Sequence, residues 1–136
     1  MPVTSTPIFA QTPFGITNAV SATANTSRSK SAAAVPTNGV LITPNTNTNG
    51  IRLDKISLIG NGTTLAGVVI IWAYDGTDAY VFDEFVVTVV TPSTTASGFT
   101  TSKTYDSVIF GPNFKLYATS TVASQLVNVA AFGGAY

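Results

Sequence analysis

The chain has 136 residues, enough for one domain with its own core. Only 9% of them are charged, six basic against six acidic, and there is no Cys and no His. That excludes disulfides, thiol chemistry and Cys-bound zinc, removes the commonest general base and metal ligand, and leaves solubility to Ser, Thr and Asn.

So little charge fits either a neutral β domain of secreted type or a part whose surface is mostly contacted inside an assembly. The charge is also unevenly placed. Residues 1 to 53 hold Arg28, Lys30 and Arg52 and no acid, whereas residues 54 to 136 hold six acids against Lys55, Lys103 and Lys115. A weakly basic leading segment could lie on the weakly acidic body of a neighbouring copy; scattered, solvated charge is the plainer alternative. The first residues lack the basic and apolar regions of a signal peptide, and the longest apolar run, Gly67 to Tyr74, is too short to span a bilayer. Assembly in a cytoplasm is therefore expected.

Met1 to about Pro13 is expected to be extended, because Pro2, Pro7 and Pro13 exclude helix interior and central strand. Ile8, Phe9 and Phe14 are its apolar anchors, too closely spaced for a disordered tail. They dock on the chain's own body or on a neighbour. Ile16 to Thr26 is a weak edge strand. Ser27 to Ala34 is a loop or a short helical turn, and Val35 to Gly39 a turn. Val40 to Ile42 is a short strand stopped by Pro44, followed by the polar loop Asn45 to Gly50. Residues 1 to 50 thus read as an extended N-terminal arm with weak strands, and residues 51 to 136 as the body.

In the body, Ile51 to Ile59 is a strand with Ile56 and Leu58 inward, and Gly60 to Thr64 is a turn. Val68 to Tyr74 and Ala79 to Val90 form a hairpin about Asp75-Gly76-Thr77-Asp78, since Gly reaches positive φ without steric cost. Alternation puts Val68, Ile70, Trp72 and Tyr74 on one face, with Val69, Ile71 and Ala73 on the other. In the second strand Val81, Asp83, Phe85, Val87 and Val89 oppose Tyr80, Phe82, Glu84, Val86, Thr88 and Val90. Both faces are apolar, so something must cover the second, either this chain or a partner. Phe99 to Tyr105 is a weak strand, Asp106 to Phe110 leads to a turn at Gly111-Pro112-Asn113, and Phe114 to Thr119 is amphipathic. Ser124 to Phe132 is the last strand, after which Gly133-Gly134 releases the terminus. About eight short strands with turn signals between them specify an all-β, antiparallel sandwich of jelly-roll type; an immunoglobulin-type sandwich is the alternative, without its Cys pair.

Catalysis finds little support. Ser and Thr lack a His to take their proton. Asp83 and Glu84 are adjacent on a strand and face opposite ways, so they cannot share a substrate. Asp75 and Asp78 suit turn geometry better than a calcium site, and Gly60-Asn61-Gly62 lacks the features of a phosphate cradle. Dispersed positive charge does not make a nucleic-acid patch. No catalytic, cofactor or metal-binding residue is assigned, and neither nucleic acid nor membrane is an expected partner. Trp72, Tyr74, Tyr80 and Phe82 could stack on a sugar, or pack in core or interface.

Leu53-Asp54-Lys55-Ile56, Gly60-Asn61-Gly62-Thr63-Thr64-Leu65-Ala66-Gly67, Tyr74-Asp75-Gly76, Val127-Asn128-Val129 and Phe132-Gly133-Gly134-Ala135-Tyr136 together resemble small β-sandwich structural proteins of tailed bacteriophages, over about residues 50 to 136. The resemblance implies a virion component with no catalytic residues: a capsid decoration or cement protein, commonly trimeric, or a neck or tail part. A decoration protein would bind the major capsid protein on the outer shell as a homotrimer. The candidate interface is then Ile8, Phe9, Phe14, Trp72, Tyr74, Tyr80, Phe82 and Val87. A carbohydrate- or receptor-binding module on a head or tail fibre, and a neck or tail structural protein, are the competing expectations.

Overall fold

The structure, a computed structural model, describes residues 12–136. Among these it has eight strands: β1 (Thr12–Ala19), β2 (Val40–Leu41), β3 (Ile51–Gly60), β4 (Gly67–Tyr74), β5 (Ala79–Val87), β6 (Thr100–Phe110), β7 (Lys115–Ser120) and β8 (Val127–Ala135). They form two antiparallel four-stranded sheets, in the orders β1-β8-β3-β6 and β2-β7-β4-β5. This is the jelly-roll order expected from the strand count. Only β4 and β5 are consecutive in sequence and adjacent in one sheet; every other connection crosses between sheets.

The core fills the space between the sheets. Ile51 and Leu53 point inward, the ladder of β3 with both neighbours shifts between Leu53 and Lys55, and Ile56 and Leu58 then point inward in turn. One extra residue reverses the alternation, so a bulge keeps both halves of β3 apolar toward the core. Val69, Ile71, Phe85, Val87, Leu116, Val127 and Val129 complete the centre. Each such side chain contributes about 1.5–3 kcal/mol by leaving water.

The hairpin is also bulged. Ile71 pairs with Asp83 but Trp72 pairs with Val81, so Phe82 is the extra residue. Asp83, Phe85 and Val87 share one face, as alternation expects, and that face turns inward, which puts Val87 in the core instead of at an interface. Val81, however, joins Ile70, Trp72 and Ala79 on the outer face, while Phe82 turns into the core. β5 ends at Val87, and beyond it Val90 packs against the core while Val89 is exposed. Strict alternation from Ala79 to Val90 misplaced these four because it has no term for a bulge or a strand end.

The outer face of β4 is covered by the chain itself. Residues 20–39 run across it without helix, anchored at Asn25 N–H to Ser120 O (2.8 Å) and by a two-way backbone bridge between Ser31 and Ala79 (2.9 and 3.0 Å). Trp72 is 1% exposed beneath this cover, and its indole N–H donates to Thr119 Oγ1 at 2.9 Å.

Two further expectations are corrected. Residues 12–50 are not a separable arm: β1 pairs with β8 along its whole length, and Phe14 packs on the main core. Gly133-Gly134 does not release the chain, because β8 runs on to Ala135, paired with β1 on one side and β3 on the other. A Cβ at Gly133 would fall on the Arg52 carbonyl oxygen, so only Gly allows the strands their approach at the β3 bulge. Phe99–Tyr105 and Asp106–Phe110 merge into the single strand β6, interrupted opposite the same bulge.

Candidate interaction surfaces

The loops between strands gather at two ends of the sandwich. Loops 42–50, 75–78 and 111–114 share one end with Tyr136, whose N–H donates to Gly50 O at 3.1 Å. Asn47, buried, ties this end together: its Nδ2 donates to Gly111 O (3.1 Å) and Phe114 O (3.0 Å), and its Oδ1 accepts from Gly50 N–H (2.7 Å). The expected Asx role of Asp75 is present, with Oδ1 accepting from the N–H groups of Thr77 and Asp78, both at 2.8 Å.

Loops 61–66, 88–99 and 121–126 form the other end. Buried Gln125 binds both backbone groups of Leu65, its Oε1 accepting at 2.8 Å and its Nε2 donating at 2.6 Å. Thr64 Oγ1 donates to Thr88 O (2.6 Å) and accepts from Val90 N–H (3.0 Å). These three loops contain no charged residue. They and the adjoining strand ends carry exposed Ile59, Leu65, Val86, Val89 and Leu126, of which Val86 is 72% and Val89 62% exposed. Uncharged, apolar exposure concentrated in one place is the composition of a contact surface.

The two sheets differ outwardly. The β2-β7-β4-β5 sheet wears residues 20–39. The β1-β8-β3-β6 sheet presents small residues such as Gly15, Thr17, Ser57 and Ser102 together with exposed Ile59, Ile109 and Phe132, the last lying over Gly15.

Charge holds the molecule closed in two places. On the outer side, Arg28 binds Glu84, and Lys30 lies 3.4 Å from Asp78, whose Oδ1 also accepts from Ala33 N–H at 2.7 Å. The Ala33 N–H holds the Asp78 carboxyl below its usual value against partial burial, with Lys30 assisting. The basic leading segment and the acidic body therefore meet within one chain. Where the sheets' edges meet, Asp83 accepts from Lys103 Nζ (2.8 Å) and Tyr105 hydroxyl (2.6 Å). Burial pushes Asp83 up, but the bonds from Lys103, Tyr105 and Glu84 N–H outweigh it and leave its carboxyl below normal. Burial and then Asp83 push the Tyr105 hydroxyl up, so it keeps its proton and serves as a donor. Asp83 and Glu84 do face opposite ways, as expected.

The anticipated interface residues do not form one surface. Trp72 and Val87 are buried inside the chain, and Phe82 and Phe14 pack on its core. Tyr74 packs beside Trp72 and meets the Tyr117 ring edge-on at 6.1 Å. Tyr80 is exposed with Lys30 above its ring at 5.9 Å. Ile8 and Phe9 lie outside the described residues. With Trp72 buried and Phe82 turned inward, the four hairpin aromatics make no sugar platform. Exposed Leu65 and Leu126 sit singly in polar loops and Val89 beside Val90; what marks this end in the sequence is the absence of charge over 60–74, 85–102 and 116–136. The chain matches no protein-family model and no curated protein.

Proposed function

We propose that the protein is a capsid decoration protein of a tailed bacteriophage, bound by its uncharged end to the major capsid protein on the outer shell. The observation that carries this is the composition of that end: no charge in three converging loops, with Leu65, Val86, Val89 and Leu126 exposed. Interface cores are depleted in charge, and an isolated soluble domain gains nothing from such an end. The jelly roll suits a shell component, though by analogy alone. Many copies with modest contacts each would hold through multivalency, and a homotrimer at threefold positions would repeat the same patches around the axis. The outer face of β4 lends the trimer no support, because residues 20–39 cover Ile70 and Trp72; on β5 that face leaves Val86 exposed. Assembly takes place in the host cytoplasm.

Imaging of the intact particle tests the proposal. Density for this jelly roll at many copies over the icosahedral shell, uncharged end inward, supports it. Density confined to neck, tail or fibre rejects it in favour of those alternatives. Any deletion test of an N-terminal arm must stop at residue 11, because residues 12–39 supply an edge strand and the cover of Trp72.

A further inference from the structure

At the end opposite the uncharged one, loops 42–50, 75–78 and 111–114 enclose a cleft of about 440 Å³. That lies within the roughly 300–1,000 Å³ typical of small-molecule sites. Its walls include Asn45, Thr48, Asp75, Asn113 and Lys115, with Tyr74 the one aromatic side chain among them. The loops are held before any ligand arrives. Asn47 at the cleft is engaged with the backbone of its own loop and of loop 111–114, and the Tyr74 hydroxyl donates to Gly76 O at 2.9 Å. Asp75 spends Oδ1 on its own turn, and its Oδ2 accepts no hydrogen bond from the described residues.

The chemistry of the walls selects among ligands. One carboxylate and one ammonium group balance each other, so a strongly anionic ligand meets Asp75 and a cation meets Lys115. A hard metal ion would need more oxygen ligands than one free carboxylate supplies. A lipid or apolar peptide finds only Tyr74. Amides and hydroxyls both donate and accept, which matches hydroxyl groups that do the same. We propose that this cleft binds the end of a neutral saccharide, its hydroxyls on Asp75, Asn113, Thr48 and Lys115 and its carbon skeleton against Tyr74. Of the four hairpin aromatics that the sequence offered for sugar stacking, Tyr74 alone lines this cleft. The proposal stands without the shell assignment; if that assignment holds, the cleft faces outward from the particle.

The test uses the purified full chain, labelled for NMR, titrated with neutral saccharides: glucose, galactose, mannose, N-acetylglucosamine and their short oligomers, with sialylated and sulfated sugars as a separate arm. The expected result is saturable binding of a neutral sugar, with shifts centred on residues 45–48, 74–77 and 113–115. Asn113→Gly removes the amide while tolerating the positive φ of 70° at that position. Asp75→Asn keeps an oxygen for the turn, and Thr48→Ala serves as a third variant. Each should weaken binding about tenfold, the loss of roughly one hydrogen bond to ligand, with an unchanged melting temperature. No saturation with any neutral sugar, shifts elsewhere, preference for the charged arm, or full binding by stable variants would each overturn the proposal. Particle imaging remains independent: sugar binding by a tail-located protein keeps the cleft and removes the shell, and the converse result does the opposite.

Discussion

The two ends of the sandwich are built alike and finished differently. Each closes around one buried amide side chain, Asn47 at one end and Gln125 at the other, whose bonds satisfy loop backbone that would otherwise be stranded. Internal stability therefore asks the same of both. Yet one end displays Asp75, Lys115 and a row of Asn and Thr, and the other displays Leu65, Val89 and Leu126 with no charge at all. A difference that the fold does not require is what the proposed function uses: it puts water or a polar ligand at one end and protein at the other.

The largest effect should come from Asn47→Ala, which leaves two carbonyls and one N–H of the polar end without their partner. Denaturant unfolding should show a loss of about 3 kcal/mol. Gln125→Ala strands only the two groups of Leu65 and should cost about 2 kcal/mol. If Gln125→Ala proves the more damaging, the ends are not ranked by the backbone they satisfy, and the parallel between them fails.

Acid should act on the edge between the sheets and on Asp78 in the turn at the polar end, whereas the loops of the other end carry no charged group. The Asp83 carboxyl is held below its usual value in the folded chain, so the unfolded chain binds the extra proton first as pH falls. Its stabilisation is complete above the unfolded value of about 3.9 and is lost as pH drops through the lower folded value. Asp78 adds in the same direction. Melting temperature should fall below about pH 4, and Asp83→Asn should lower it at neutral pH while flattening that acid limb. An equally steep limb in the variant would assign the acid sensitivity elsewhere.

The smallest effect on stability is expected where the functional effect is greatest. Val89→Lys and Leu126→Lys alter exposed side chains and should change unfolding free energy by no more than about 0.5 kcal/mol. Binding to shells lacking the protein, measured by co-sedimentation, should nevertheless be abolished. Undiminished binding would show that the uncharged end is not the contact.

Legibility followed sequence distance. The β4–β5 hairpin was plain because its strands are joined by a four-residue turn whose Asp75 and Gly76 do what their chemistry predicts; Gly76 has a φ of 99°. The inward Ile56 and Leu58 were equally plain, as alternation holds within one half of a strand. What failed was register across bulges, which exchanged Val81 and Phe82, and the fate of residues 12–39. A leading segment rich in Ser, Ala and Pro offers no local mark of the strand it will join. Thr12 pairs with Ala135, and Arg28 with Glu84, only after the chain has folded.

By itself the sequence determined the all-β class, the approximate strand count, the hairpin turn and a charge asymmetry between leading segment and body. All of these depend on neighbours in the chain, through the two-residue period and the conformational preferences of Gly, Asp and Pro. Tertiary structure alone decided that the charge asymmetry is satisfied within one chain, and that the apolar outer face of β4 is covered from within. It also decided which scattered loop residues converge into an uncharged end and a polar cleft. Those outcomes depend on which distant strands share a sheet, and in a jelly roll nearly every connection crosses between sheets, so contacts are made between segments that nothing local ties together.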